Sequence, residues 1–496
     1  RLNGLPVETA LHGKLRALLD HLMYLTQPDG RTPLLGDDDG GRLVILDERA
    51  PDDFRAALAT GAVLFERPDY RYAAGEAAEE TIWLLGGAGL RAFDELPTAP
   101  PTTTSRAFPD GGCYVMRDGW GRDASSLLVD CGPHGVLNCG HAHADALGLT
   151  LVVRGTPVLV DPGTYTYTSP SELRDYYRSS AAHNTVTVAG ESSSVPAGPF
   201  SWRHVGRSTP LAWWPGGRCD YFEGSQDGYA RLTPPAVHSR AVLFLRGDYW
   251  IVRDRVRTAG DHDVELHLQF APGIVIEIVS PSRAMATWGS PPDATTLEIG
   301  VFGHGGAMRA SDARVSSSYG ALRPARRVAF TARARGQREL VSLFVPRPAG
   351  EAIEIRERAA TGGRAYVIAR PGVEDVLLIG DGGRGGEVAT GELSSDAEWA
   401  WVRGAGNGTQ PFEVVMLQGR RLHWRGRPLV LADAPVRCIA ARRQGTELHV
   451  ELHAAGRCDV DLLGADRMVL RREPAGLAAA AGGARSRFST PPLGVT

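Results

Sequence analysis

The chain has 496 residues and a formal net charge of −3, with 54 lysines and arginines against 57 acids. That balance argues against a nucleic-acid partner, and the length leaves room for several domains with large cores. The 60 glycines and 33 prolines predict a turn-rich, mostly β molecule, and the 6 cysteines, none in a C-x-x-C pair, exclude a disulfide-built scaffold. No apolar run reaches the length of a membrane-spanning helix. Lys14 is the sole lysine, so arginine carries the positive charge, and guanidinium suits carboxylate and sulfate recognition. Cys131 and Cys139 flank a glycine-rich stretch and form the candidate cysteine pair.

The first hundred residues read as helices. Residues 6–26 place Leu11, Leu15, Leu18, Leu19 and Leu22 at helical spacing. Gln27-Pro28-Asp29-Gly30 reads as a turn. Asp37-Asp38-Asp39 stands in a glycine frame, and such a run is more often a solvated loop than a cation site. Pro51-Asp52-Asp53 opens a second helix with acids in its first turn. A third runs from Gly75 to Leu85 and stops at Gly86-Gly87. Pro97 to Thr104 has a linker's composition.

After the linker the period changes to that of strands. Cys113–Met116, Ser126–Val129, Leu147–Val153, Pro157–Val160, Thr185–Val188, Ala241–Phe244, Tyr249–Val252, Val264–Leu268, Leu340–Leu343 and Val376–Ile379 are short apolar runs between turn residues. The alternation of Val264, Leu266 and Leu268 with Glu265 and His267 predicts a dry and a wet face. The expected class is α+β multidomain. Its parts are a helical segment over 1–96, a linker over 97–106, antiparallel β-sandwich over 107–394, a small β unit over 395–473 and a disordered tail over 474–496.

Chemistry concentrates in Gly140-His141-Ala142-His143-Ala144-Asp145. On a strand, His141 and His143 would face one side. Asp161 follows at the end of one predicted strand and His183 precedes another. Two imidazoles and a carboxylate suit zinc or a similar divalent ion.

From Phe108 to Trp202 the chain resembles the heparinase II/III-like family of polysaccharide lyases. The matching text is Phe108-Pro109-Asp110-Gly111-Gly112, Arg117-Asp118-Gly119-Trp120-Gly121, the His-x-His motif, and Val160-Asp161-Pro162-Gly163-Thr164-Tyr165. Arg174-Asp175-Tyr176-Tyr177-Arg178-Ser179, Ala182-His183-Asn184-Thr185-Val186 and Pro196-Ala197-Gly198-Pro199-Phe200 continue it. The resemblance implies the remnant of an α/α toroid before β-sandwich domains, and β-elimination of an acidic, uronate-containing polysaccharide. It implies a structural divalent metal, zinc, on His143, Asp161 and His183, with His141 facing the cleft. It also implies a bacterial cell envelope, periplasmic or secreted location.

β-Elimination needs the uronate carboxylate neutralised, a base for the C5 proton and an acid for the leaving 4-oxygen. His141 is the first candidate and Tyr177 the second, with Tyr176 close behind it and Arg178 as a substrate-binding group. Asn184 is expected to fix the turn beside His183. Trp202, Trp213 and Trp214 are candidates for stacking on sugars or for core packing. Heparan-like, alginate-like, hyaluronan-like and bacterial exopolysaccharides all fit as substrates. Two other readings are a non-catalytic glycan-binding β-sandwich with a structural metal and a cupin-like metal oxygenase. The chain opens at Arg1; before Pro28 the only asparagine is Asn3, and the only tyrosine, Tyr24, sits inside the helix leading to that segment rather than on an earlier one. It is therefore expected to act as an N-terminally truncated lyase that binds metal but cleaves poorly. If it is active, its acid is sought among Tyr165, Tyr167, Tyr176 and Tyr177.

Overall fold

The computed structural model describes residues 8–41, 45–168, 170–303, 305–380, 386–405, 411–444 and 447–453. It also describes strands Val460–Leu463, Arg467–Arg471, Ala478–Ala480 and Arg485–Ser489. Two compact units result, one joining 1–215 with 220–349 and the other joining 216–219 with 350–496. The division after Ala349 lies upstream of the boundary expected at 394/395. Glu354–Arg358, Gly363–Arg370 and Val373–Gly380 hydrogen-bond in series into the second unit's sheet. The expected tail over 474–496 lies largely outside the described residues, apart from its two short strands. Among the described residues no helix is long and apolar enough to cross a membrane.

Four helices precede the sheets: α1 (Thr9–Leu25), α2 (Arg55–Phe65), α3 (Pro68–Ala74) and α4 (Glu79–Glu95). The separate α3 was not legible as a periodic run, being seven residues started by Pro68. Gly86-Gly87 does not end α4. Gly86 takes φ 69° and the helix resumes beyond it. On α1 the buried side chains are Leu19, Met23 and Tyr24, whereas Leu11 and Leu18 of the expected stripe are 58% and 66% exposed. The linker is not free either, because Thr103 bonds Tyr24, and Ser105 donates to Asp220 at 2.6 Å.

Strands β1 (Arg106–Phe108), β2 (Cys113–Arg117), β3 (Ser126–Asp130), β4 (Leu149–Val153) and β5 (Thr156–Leu159) form an antiparallel meander in chain order. Both faces of this sheet are dry. Cys113, Val115 and Leu128 join the helical core, while Tyr114, Met116, Leu127 and Val129 face the sandwich core. Each such side chain, fully buried, stabilises by roughly 1.5–3 kcal/mol. Arg117, 2% exposed, donates to the carbonyls of Tyr24 and Thr26 at 3.3 and 2.7 Å and so closes the C-terminus of α1 onto the sheet.

Helix α5 (Ser171–Tyr177) and β6 (Val186–Val188), β7 (Val195–Gly198), β8 (Ser201–His204), β9 (Ser208–Trp214) and β10 (Cys219–Gln226) follow. Then come β11 (Ala236–Leu245), β12 (Tyr249–Gln269), β13 (Val275–Ser280), β14 (Arg283–Trp288), β15 (Thr295–Phe302), β16 (Ala307–Ser318) and β17 (Ala321–Pro348). The second sheet runs β13-β14-β15-β17-β12-β11-β10-β9, with β16 on β17 and β6 on β12. The two runs Tyr249–Val252 and Val264–Leu268 are therefore one long strand. Its apolar residues Val252, Val264 and Leu266 complete the sandwich core. His267, expected on a wet face, is buried beside β6 and bonds Thr187 at 2.9 Å. The second unit has its own core around Val367, Leu378, Ala400, Met416 and Ile439.

Candidate metal centre and cleft

His141 and His143 lie in the loop between β3 and β4, not on a strand. The loop is fastened from several sides. Ala144 N donates to Arg178 O at 2.8 Å, and the Thr185 hydroxyl donates to Ala146 O at 2.8 Å. Arg240 reaches Leu147 O and Asn184 O at 2.6 and 2.7 Å while paired with Asp254. Asn184 ties three strand ends, donating to Leu149 O and Val160 O and accepting from Gln269 N at 2.6 Å. It thus has the positioning role expected of it. After β5, Asp161 accepts Gly163 N at 2.7 Å. Gly163 takes φ 80°, and a Cβ there would lie 2.0 Å from Ser316 O, so only glycine fits this turn.

These turns bring ligand atoms of His143, Asp145, Asp161 and His183 within 4.8 Å of one another. His143 Nδ1 lies 3.1 Å from His183 Nε2, which lies 3.2 Å from Asp161 Oδ2. The outer nitrogens are already committed: His143 Nε2 to Asp37 at 3.0 Å, and His183 Nδ1 to Ser179 O at 2.7 Å. With both rings neutral and donating outward, as a bound cation would require, the inner nitrogens would present lone pairs to one point. Tetrahedral zinc with bonds near 2.0–2.1 Å needs ligand atoms about 3.3 Å apart, close to these separations. The charge balance fits a cation as well. Burial, with the charge of Asp130 adding to the shift of Asp145, holds both carboxyls above the usual carboxylate range. Burial alone would lower His183, but the neighbouring Asp161 outweighs it and lifts His183 to about 9. The expected trio is therefore together, and Asp145 is a fourth candidate donor that the spacing argument did not single out.

Asp37 is the residue that sequence reasoning missed. It sits in the run read as a solvated loop, yet its side chain is 0% exposed. It receives both nitrogens of Arg174 at 2.6 and 2.5 Å, His143 Nε2 and, at 3.2 Å, His141 Nδ1. Burial would raise its carboxyl, but bonds from His143 and Arg174 outweigh that and hold it below the usual range. The loop is clipped by Asp37 N to His141 O and by Asp38 N to the Thr164 hydroxyl. The glycine frame was the available signal, though nothing in it told which of three acids turns inward.

His141 is the open member, its side chain 69% exposed. Its ring neighbours are Tyr167 at 5.8 Å and Phe200 at 5.7 Å, and Tyr167 also meets Tyr319 at 5.2 Å. Beside it a cavity of about 420 Å³ is lined by His21, Asp130, His134, Asn138 and Asp145. Burial, then Asp37 and Asp39, push the Tyr167 hydroxyl up to about 12. Two expectations need correction. Tyr177 is 1% exposed against Tyr165 and Tyr176 and is not among the rings around His141. Arg178 is wholly buried and bonds Asp175 and the carbonyls of Gly198 and Pro199, which leaves it no exposed face for a sugar. Trp202 is likewise structural, donating to Cys139 O at 2.7 Å, and Trp214 stacks on Tyr221.

The family model for the C-terminal domain of heparinase II/III-like proteins matches residues 100–353. The chain belongs to the heparinase II/III-like family. A heparin-sulfate lyase of Bacteroides stercoris is 25% identical over 232 residues, 46% of this chain and 32% of that protein. One from Pedobacter heparinus is 24% identical over 172 residues, 34% of this chain and 24% of that protein. The matched part thus spans a third or less of these relatives. Among solved structures, the heparan sulfate lyase HepC of Pedobacter heparinus superposes with a TM-score of 0.59 at 20% identity, over 75% of this chain and 53% of that one. A heparinase III gives 0.59 at 14% identity, over 75% and 55%. These likenesses establish the heparinase-type fold around the site.

Proposed function

We propose that this heparinase II/III-like chain carries the β-domain half of a polysaccharide lyase that cleaves a uronate polymer by β-elimination. The observation that carries the reading is the splitting of His-x-His by one carboxylate. Asp37 holds His143 inward, toward the metal donors, and His141 outward, into the open. In the reaction, His141 takes the C5 proton of the uronate, and the Asp37 carboxylate stabilises the imidazolium that forms. The C5–H electrons become the C4–C5 double bond, and the C4–O bond breaks. Tyr167 keeps its proton at neutral pH and supplies it to the departing 4-oxygen. His143, Asp161 and His183, with Asp145, would hold a divalent ion, zinc by donor chemistry. When bound, the ion supplies a fixed charge that cross-links the loop to the 161 and 183 turns. The names of the relatives favour a sulfated, heparin-like substrate over alginate.

The test compares initial rates on heparan sulfate, alginate and hyaluronan for the parent, His141→Ala and Tyr167→Phe, with metal analysis of each. Both variants should lose on the order of 10²-fold or more in turnover while keeping the parent's metal content. Parent-level turnover in His141→Ala would refute the assignment.

A further inference from the structure

We propose that Cys219 and Cys438 are a disulfide pair, closed when the protein folds in contact with a disulfide oxidant. Their sulfurs lie 3.7 Å apart although the residues are 219 positions apart in the chain. Both side chains are buried, at 3% and 5% exposure, and both residues belong to the second unit. A disulfide needs about 2.05 Å between sulfurs, so closure asks for a movement of roughly 1.7 Å, within reach of side-chain rotation.

Each thiol is held where it is by its surroundings. Cys438 lies inside strand Arg427–Gln444, laddered to Leu417 on one side and His453 on the other. On the approach to Cys219, Gly217 N and Arg218 N donate to the Glu451 carboxylate at 2.9 and 3.0 Å, and the Arg218 guanidinium pairs with Glu413. Folding of this unit therefore presents one sulfur to the other at high effective concentration. Cys131 and Cys139, the candidates by chain proximity, are placed differently. Cys131 is packed in the sandwich core, and Cys139 sits on the partly exposed loop before His141.

The chemistry is two exchanges with a small-molecule or protein disulfide, RSSR. One cysteine thiolate attacks RSSR and releases RSH, leaving a mixed disulfide. The other thiolate displaces the second RSH. Two protein thiols are oxidised, one RSSR is reduced, and two RSH leave. Burial then shields the bond from reductants.

The experiment refolds the full chain in glutathione buffers of graded redox poise, blocks free thiols, and maps peptides by mass without reduction. The expected result is a Cys219–Cys438 linked peptide and a melting temperature about 5–10 °C above that of the reduced protein. Cys219→Ser and Cys438→Ser should each lose both the linkage and the redox-dependent shift. Alkylation of both residues under the most oxidising buffer would overturn the proposal. So would linkage of either one to Cys113, Cys131, Cys139 or Cys458. Should a serine variant fail to fold, the peptide map of the parent decides alone.

Discussion

Asp37 accepts hydrogen bonds from two imidazoles and one guanidinium while shut off from solvent. A carboxylate placed so, behind a histidine that faces the candidate metal donors, sets that ring's tautomer and basicity. Asp37→Asn keeps the shape and removes the charge. It should weaken zinc binding by about 10–100-fold and lower turnover, whereas His141→Ala leaves zinc affinity at the parent value. Competitive chelator titration of the three proteins checks the ordering. His143→Ala and Asp161→Asn should each empty the site, seen as loss of stoichiometric metal in purified protein. The motif spacing foresaw that His143, Asp161 and His183 lie together, because each borders an apolar strand run. It left Asp37 and Arg174 unread, because a buried carboxylate and a solvated one look alike in sequence until a partner from another segment is known. Tyr177 and Arg178 were misread for the same reason: adjacency in the chain does not tell which side of α5 faces the cleft.

At the scale of elements, β12 shows where alternation misleads. Val264, Leu266 and Leu268 are buried as the period predicts, but β6 lies along the other edge and takes His267 in as well. Burial, with Arg327 nearby, drops His267 to about 3, and burial drops His134 to about 4. An unfolded histidine takes a proton near pH 6.5, whereas these two refuse it until far lower. Their contribution is therefore complete above about pH 6.5 and is lost as the pH falls toward 3–4. At about 1.4 kcal/mol per unit, acidification from pH 7 to 4 should remove on the order of a few kcal/mol. Asp145 and Asp130, held above the usual carboxylate range, gain stability over part of the same window, so the histidine contribution is read as a difference. Urea midpoints of His267→Gln should fall less between pH 6.5 and 4 than those of the parent, and parallel profiles would contradict the burial argument. Helices and strands were mostly legible from period and punctuation. The exceptions each have a local cause: the kink at Gly86, the short α3, and the His-x-His loop, whose turn geometry is imposed by the 178–185 segment and Arg240.

The first unit as a whole is a three-layer stack in which the meander sheet is shared by the helices on one side and the larger sheet on the other. That sharing is why the helical segment and the first β domain, expected as separate parts, form one unit. It is also how Asp37, from the helical segment, reaches histidines more than a hundred residues away. The products of the proposed elimination distinguish it from hydrolysis or mere binding. Mass spectrometry of fragments released from heparan sulfate is the direct measurement. Elimination should give new non-reducing ends bearing a C4–C5 double bond, each lighter by one water than the hydrolytic product, with no oxygen taken up from labelled water. Saturated non-reducing ends with labelled oxygen at the new reducing-end C1, or no new ends on any uronate polymer, would contradict it.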